Sequence, residues 1–389
     1  MPKKYKFIDL FAGIGGMRLG FENTGKFKCI LTCEIDKDAL RTYKEMFNQD
    51  DHPYVADIAD LNPDDKGKLN PDYDIIESVK KSPTNFESSY DVLVGGFPCQ
   101  PYSIAGLRKG LKDKRGQVFE EIIEILHRTQ PKVFLLENVK GMLSHDNKKT
   151  YKTIMKPALE QPKSRSTSNP KALGYLVDER VLNTMDYTDI PQNRERLFIV
   201  GVRMDIAEKL KLQPENPKLD SNKKEHHWFN WPAKIPEAEK GKISKCILTD
   251  IKLNDPNYKQ YFYNERYKQC YKKLNALMKR GEMHENTLYQ YRRHYVRANK
   301  SNVCPTLTAN MGSGGHNVPL YYDGKNIRKL TPKECANFQG FPEDFRFPSK
   351  MSDGKQYHQV GNSVTVPLIT LLAHRITALL ERETKLRSK

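Results

Sequence analysis

Apolar positions in the first half of the chain follow two alternating rhythms. Short, mostly apolar runs, "KFIDLF", "FKCILTCE", "YDVLVGG" and "KVFLLENV", are separated by stretches with helical spacing, "MRLGFENTG", "KDALRTYKEMF" and "QVFEEIIEILHRT". Runs with no polar alternate, such as Val133 to Leu136 and Leu197 to Val200, suit strands covered on both faces. Strand and helix in turn predict an α/β fold: a doubly wound, mostly parallel sheet with helices on both sides. "GYLVDERVLNT" and "RLFIVGVR" carry the sheet to near Arg203.

Residues 61–90 and 161–172, rich in Pro, Asn, Ser and Lys, read as surface insertions into this pattern. After Arg203 the alternation stops. From Asn257 to Lys300 there are eleven Lys and Arg and eight Tyr against three Glu, and no acid occurs between Asn286 and Tyr322. Order returns with "RKLTPKECANFQGFPEDF" and with "GNSVTVPLITLLAHRITALLERE", a helix with apolar spacing at Leu368, Leu371, Leu372, Ile376 and Leu379. Three parts are expected: a sheet domain over 1–204, a smaller basic domain inserted at 205–328, and a segment at 329–389 that returns to the first.

Charge sharpens this picture. Across 389 residues, 65 Lys and Arg oppose 48 Asp and Glu, a net charge of +17, which points to a polyanionic partner, nucleic acid first. The seven cysteines include no Cys-x-x-Cys pair and no paired Cys and His spacing, so neither a metal site nor a disulfide framework is expected. The start has no apolar signal core, and the longest uncharged apolar-rich run, Val360 to Ala373, is short for a membrane span. An intracellular soluble protein with reduced thiols is expected, without membrane association.

Candidate chemistry gathers at strand ends. "FIDLFAGIGG" places Asp9 at the end of a strand and Gly13, Gly15 and Gly16 in the turn before a helix, where glycine lets backbone approach a ligand. Glu34 closes the next apolar run at a spacing suited to ribose hydroxyls, and Asp57 ends a third run. The pattern is not Gly-x-Gly-x-x-Gly, and Asp9 would repel a pyrophosphate but accept from an ammonium. An acidic rim of this kind suits a positively charged nucleoside such as S-adenosylmethionine; the competing reading makes Glu34 and Asp57 helix caps or solvated acids.

In "GGFPCQPYSIAG", Cys99 follows a glycine-broken strand and a rigid proline, with Gln100, Tyr102 and Ser103 around it. It reads as a buried filler or as a nucleophile. "FLLENVKG" puts Glu137 at the end of another buried strand, where desolvation raises a carboxyl's proton affinity. "IPQNRERLFIVG" sets Arg194 and Arg196 two apart before a strand, so that both can point to one face; alternatively they are charges that blunt a sheet edge.

Together, "FIDLFAGIGG", "GGFPCQPYSIAG", "LLENVKG", "PQNRERLFIVG", "RKLTPKECANFQGFP" and "QVGNSVTVPL" resemble the cytosine-5 DNA methyltransferase family, in its order, over all but the basic middle. The resemblance implies a Rossmann-like fold for S-adenosylmethionine with an inserted target-recognition domain. It implies a bacterial, cytosolic, DNA-associated monomer acting on double-stranded DNA, accompanied in its usual setting by a cognate restriction endonuclease without a stable complex. Phe11 would stack on adenine, Gly13, Ile14 and Gly16 would wrap the amino-acid part, Glu34 and Ile35 would hold the ribose side, and Asp57 and Ile58 the adenine edge. Pro98, Asn362 and Ser363 would complete the cofactor site. Cys99 would attack carbon 6 of cytosine, Glu137 would hold ring nitrogen 3, and Arg196 with Arg194 would steady the base and its loop. DNA contacts would fall to Gln100, Ser103, Arg292, Arg293, Arg297, Thr306, Thr308, Gly314 and Gly315. Ala105 stands where some relatives carry a serine, and the insertion at 61–90 stretches the distance from Asp57 to Cys99. Alternatives are methylation of tRNA by a branch of the same family, an idle DNA-binding regulator, and a nicotinamide dehydrogenase.

Overall fold

The computed structural model describes residues 4–47, 52–61, 90–98, 117–161, 173–213, 227–264, 268–292, 294–312 and 318–387. The first half supplies β1 (Tyr5–Leu10), β2 (Phe27–Cys33), β3 (Tyr54–Val55), β4 (Val92–Gly96), β5 (Val133–Val139), β6 (Tyr175–Asn183), β7 (Gln192–Asn193) and β8 (Glu195–Arg203). All but β7 form one sheet in the order β3-β2-β1-β4-β5-β8-β6. The strands from β1 to β5 run parallel, while β8 is antiparallel to both its neighbours. The fold is thus the expected α/β sheet, ending at Arg203, with one reversed strand. The reversal has a simple cause: the short Thr184–Arg194 connection cannot carry a parallel crossover, which takes about a dozen residues or more.

Period-two alternation gives the sheet two cores. Phe7, Val133, Leu135, Val200 and Val202 face one side, against the helices Gly16–Glu22 and Val366–Arg387. Ile8, Phe134, Leu136, Leu197 and Ile199 face the other, against Gln117–Thr129. The last helix therefore belongs to the first core. It sinks Leu368, Ile369, Leu372, Ile376 and Leu380 there, worth on the order of 10 kcal/mol before ordering costs. Gly20 makes the docking possible, because a Cβ at that position would collide with Ile369. Asp353–Arg387 is long and apolar enough to cross a membrane by length and composition alone, yet most of its apolar side is spent in the protein interior.

A second sheet is built from β9 (Leu288–Arg292), β10 (Tyr295–Ala298), β12 (Leu320–Tyr322) and β13 (Ile327–Lys329), in the order β10-β9-β12-β13. Between them β11 (Cys304–Pro305) pairs in parallel with β7 and stitches this part to the segment that leads into β8. Residues 227–248 enter the second part late. Phe229 and Trp231 lie in the first core, the Phe229 amide donates to Asp178 Oδ2 at 2.9 Å, and the Ile235 amide to the Asp186 carbonyl at 2.9 Å.

The second sheet is locked to the C-terminal segment by a buried ion pair. Arg328 donates twice to Glu334, at 2.7 Å each, with the two side chains 2% and 0% exposed. Glu334 also accepts from the amides of Thr331 at 2.8 Å and Leu248 at 2.9 Å, so one carboxylate joins three segments.

Candidate active site

Strand order reverses between β1 and β4, and in open α/β sheets ligands bind at such a switch point, beyond the carboxyl ends of the strands. Those ends coincide here: Leu10 is level with Cys33 and Gly95, Cys33 with Val55, and Gly96 with Glu137. The loop that follows β1 bends through the left-handed region at Phe11 (φ +56°), Gly13 (φ +56°) and Gly15 (φ +83°). For Phe11 that conformation costs about 1–2 kcal/mol, and strain of this kind concentrates at binding sites.

Glu34 fastens the loop. Its carboxylate accepts from the Gly13 amide and the Asp36 amide, each at 2.7 Å, and burial raises its proton affinity. Asp36 in turn caps the helix Lys37–Met46. The space where a Cβ of Gly13 would stand is open, and Ile35 holds its side chain 67% exposed. An open glycine turn, an apolar side chain turned outward and a carboxylate together fit an adenosine-bearing ligand such as S-adenosylmethionine.

The other expected cofactor residues divide. Asp57 is exposed and uses one oxygen to accept from the Ala59 amide at 3.0 Å. Ile14 and Ile58 are buried in separate cores, so only their backbone borders the site. Ser363 packs against Gly16, where a Cβ would lie 2.9 Å from its Oγ, while Asn362 is exposed beside it. The C-terminal segment thus reaches the glycine loop as expected.

Asp9 departs from expectation. It shares its strand face with Phe7, beneath the helix Gly16–Glu22, and is fully buried. Burial pushes its carboxyl up to about 8, opposed by the Arg18 charge and backbone amide. A carboxyl sealed beneath that helix is not open to a ligand's ammonium; it belongs to the floor of the loop.

At the other side of the switch point, Glu137 lies over Gly96, where a Cβ would stand 3.2 Å from Glu137 Oε2. The absent side chain makes room for the carboxyl. Arg196 Nε meets Glu137 Oε1 at 2.9 Å, and burial raises the Glu137 carboxyl while Arg196 and then Arg194 hold it down. Asn138 Nδ2 donates to the Phe97 carbonyl at 3.1 Å, tying the stem of the cysteine loop to the strand that carries Glu137. Pro98 is exposed at that stem. Cys99, Gln100, Ser103, Ala105, Arg293, Gly314, Gly315 and nearly all of the insertions at 61–90 and 161–172 lie outside the described residues.

The two arginines have different bonding partners. The chain turns at Gln192–Arg194, where the Arg194 amide donates to the Gln192 carbonyl at 2.9 Å, just before β8 begins at Glu195. Arg194 is buried and donates to the carbonyls of Leu307 (2.6 Å), Gly361 (3.1 Å) and Ser363. It clamps three distant segments together, and its charge still acts on the Glu137 carboxylate. Gln192, which sequence reasoning passed over, works alongside it: its amide donates to the Phe338 carbonyl at 2.6 Å and its oxygen accepts from the Leu307 amide at 3.2 Å. Its place in "PQNRER" was the available signal.

Among the expected DNA contacts, Thr306 commits its hydroxyl to the Asn193 carbonyl, which makes it a stitch at the β11–β7 junction. Thr308, Arg292 and Arg297 are exposed.

The model of a family described as C-5 cytosine-specific DNA methylase matches residues 5–378. The chain is 41% identical over 372 residues to the type II methyltransferase M.Bsp6I of Bacillus sp. strain RFL6, covering 95% of this chain and 98% of that protein. It is 35% identical over 383 residues to M1.ScrFI, a type II methyltransferase of Lactococcus lactis subsp. cremoris, covering 98% and 80%. In fold it is similar to a prophage-encoded E. coli protein described as a DNA modification methyltransferase, with a TM-score of 0.62 at 22% identity over 97% of this chain and 100% of that one. The S. pombe Dnmt2 methyltransferase gives a TM-score of 0.59 at 17% identity over 98% and 99%.

Proposed function

The chain belongs to the C-5 cytosine-specific DNA methylases, and from that premise we propose that it methylates a flipped-out cytosine in a short duplex sequence through a transient bond to Cys99. It is a DNA cytosine-5 methyltransferase of the restriction-modification type and uses S-adenosylmethionine. It acts as a monomer in a bacterial cytosol, beside a cognate nuclease that it does not bind stably. Residues 1–204 and 329–389 carry catalysis and cofactor binding, and 205–328 recognise DNA.

One observation carries the mechanism: a buried carboxyl, Glu137, stands over Gly96, three residues before Cys99, and is held there by Arg196. Carbon 5 of cytosine is a poor nucleophile. Addition of the Cys99 thiolate to carbon 6 makes it enamine-like, as covalent catalysis requires. Protonated Glu137 gives its proton to ring nitrogen 3 as charge develops there. When bound against Phe11, Gly13, Glu34 and Ile35, S-adenosylmethionine supplies the electrophilic methyl group. A solvent water then takes the carbon 5 proton, the proton on ring nitrogen 3 returns to Glu137, and Cys99 leaves as thiolate, which restores the enzyme to its starting state. A stacked base cannot reach Glu137, so the cytosine leaves the helix first.

Labelled S-adenosylmethionine offered with duplex DNA and with total tRNA tests the reading. Label is expected in DNA; label in tRNA alone would overturn it. Bisulfite sequencing of the product identifies the methylated site.

The Glu137–Arg196 pair also predicts a pH effect. The working form of Glu137 is protonated, so kcat/KM falls on the alkaline side as the carboxyl ionises. Arg196 lowers that carboxyl's proton affinity; removing it raises the affinity further. Arg196→Gln is therefore expected to move the alkaline limb to higher pH, together with a rate loss of about 10- to 100-fold. An unmoved limb in the pH profile of kcat/KM would show that the two groups are not coupled.

A further inference from the structure

The second sheet ends in a hairpin with one face turned outward. Its register sets Tyr295 opposite Arg292 and Arg297 opposite Gln290, and side-chain alternation puts these four on one face. The opposite face, with Tyr289, Tyr291 and Val296, packs into a cluster that includes Leu274 of the helix Lys268–Lys279. The hairpin is thus anchored from behind. In front, Tyr295 is 60% exposed, and Arg292 and Arg297 are exposed on either side of it. Gln290 is nearly buried and its amide oxygen accepts from Arg292 at 3.3 Å, which aims that arginine. No Asp or Glu occurs between Asn286 and Tyr322, so this face of the hairpin offers two cations, an aromatic ring and no carboxylate of its own.

We propose that this face of the β9–β10 hairpin enters the major groove of the substrate and that Tyr295 is a specificity-determining residue. The proposal rests on the reading of the chain as a duplex-DNA methyltransferase. A two-stranded ribbon fits the major groove, about 12 Å wide. The tether is short as well. Ala298 and Cys304 are joined by a segment that reaches at most about 20 Å, or about six base pairs of duplex. Cys304 itself pairs with Gln192, at the turn that leads to Arg194 and Arg196. The face is therefore tethered by a short segment to the turn that leads into the strand of Arg196, the partner of Glu137. Arg292 and Arg297 can serve phosphates or guanine edges. A neutral ring adds little to sequence-blind attraction by the phosphates. Holding Tyr295 out at a sheet edge is accounted for by contact with base edges, its ring against a methyl group and its hydroxyl toward a donor or acceptor.

The test compares wild type, Tyr295→Ala and Tyr295→Phe on a random-sequence duplex library read by bisulfite sequencing, with S-adenosylmethionine affinity and melting temperature measured alongside. Tyr295→Ala is expected to lower discrimination between the preferred site and its single-pair variants by roughly 5- to 100-fold, with cofactor affinity and melting unchanged and Tyr295→Phe intermediate. A rate loss equal on all sequences, with discrimination intact, would overturn the role of Tyr295. If wild type methylates no duplex, the underlying reading fails, and the proposal with it.

Discussion

Cys99→Ala is expected to lower methyl transfer to duplex DNA by about 10³-fold or more, while affinity for S-adenosylmethionine and for DNA stays near that of wild type. Without thiol addition at carbon 6 the cytosine ring has no route to a nucleophilic carbon 5, and positioning alone does not replace it. The substitution leaves the stem of the loop in place, because Gly96 opposite Glu137 and Asn138 on the Phe97 carbonyl fix it independently of the thiol. A covalent trap gives an orthogonal readout: DNA with 5-fluorocytosine at the target cannot lose a proton from carbon 5, so wild type should accumulate an adduct at Cys99. The other six cysteines are poor rivals. All are buried, and burial pushes the thiols of Cys29, Cys246 and Cys270 up to about 12 and those of Cys33, Cys304 and Cys335 upward as well. Thiols of that kind hold almost no thiolate at neutral pH. An adduct mapped to any of the six, or an active Cys99→Ala enzyme, would refute the mechanism.

Arg328→Met is expected to destabilise the protein by about 3–5 kcal/mol, the usual consequence of stranding one buried charge. Glu334 would keep its two amide donors from Thr331 and Leu248 but lose the one cation that bonds to it among the described residues. The second variant is chosen from that geometry. Adding Glu334→Gln removes the stranded charge while a side-chain carbonyl still accepts from the amides, so Arg328→Met with Glu334→Gln should recover at least about half of the loss. Urea unfolding of the two variants decides it; a double variant as unstable as the single would mean that packing of Arg328, and not charge, is what matters. The effect should also reach DNA binding, since β13 carries Arg328 and the second sheet is held to the C-terminal segment through it.

Much of this architecture was legible because it depends on local patterns. The apolar runs located β1, β2, β4 and β5, the end of the sheet at Arg203, and the last helix, with Leu368, Leu372 and Ile376 in the core where their spacing put them. The strand ends that carry Phe11, Glu34 and Glu137 followed from the same reading. What failed was orientation. Alternation along β1 assigns Asp9 to the face of Phe7, a signal present in the sequence, yet its position beside a glycine loop suggested a ligand. Arg194 was expected to help steady the base, but its guanidinium is committed to the carbonyls of Leu307, Gly361 and Ser363, partners in distant segments that no local pattern encodes. The Glu334 junction was hidden for the same reason, since its partners come from Leu248 and Arg328 as well as from the neighbouring cap.

The docking of Val366–Arg387 against Gly20 has a consequence for the time course of synthesis. The helix Gly16–Glu22 and the start of its sheet are made about 340 residues before Ile369, Leu372 and Ile376, and the apolar side that they present to those residues is covered only when the later helix arrives. At ordinary elongation rates of about 5–20 residues per second, that interval is roughly 20–70 s. During it the glycine loop lacks Ser363 behind Gly16, and Arg194 lacks two of its three carbonyls. Methylating competence therefore waits on synthesis of Gly361, Ser363 and the helix that follows them.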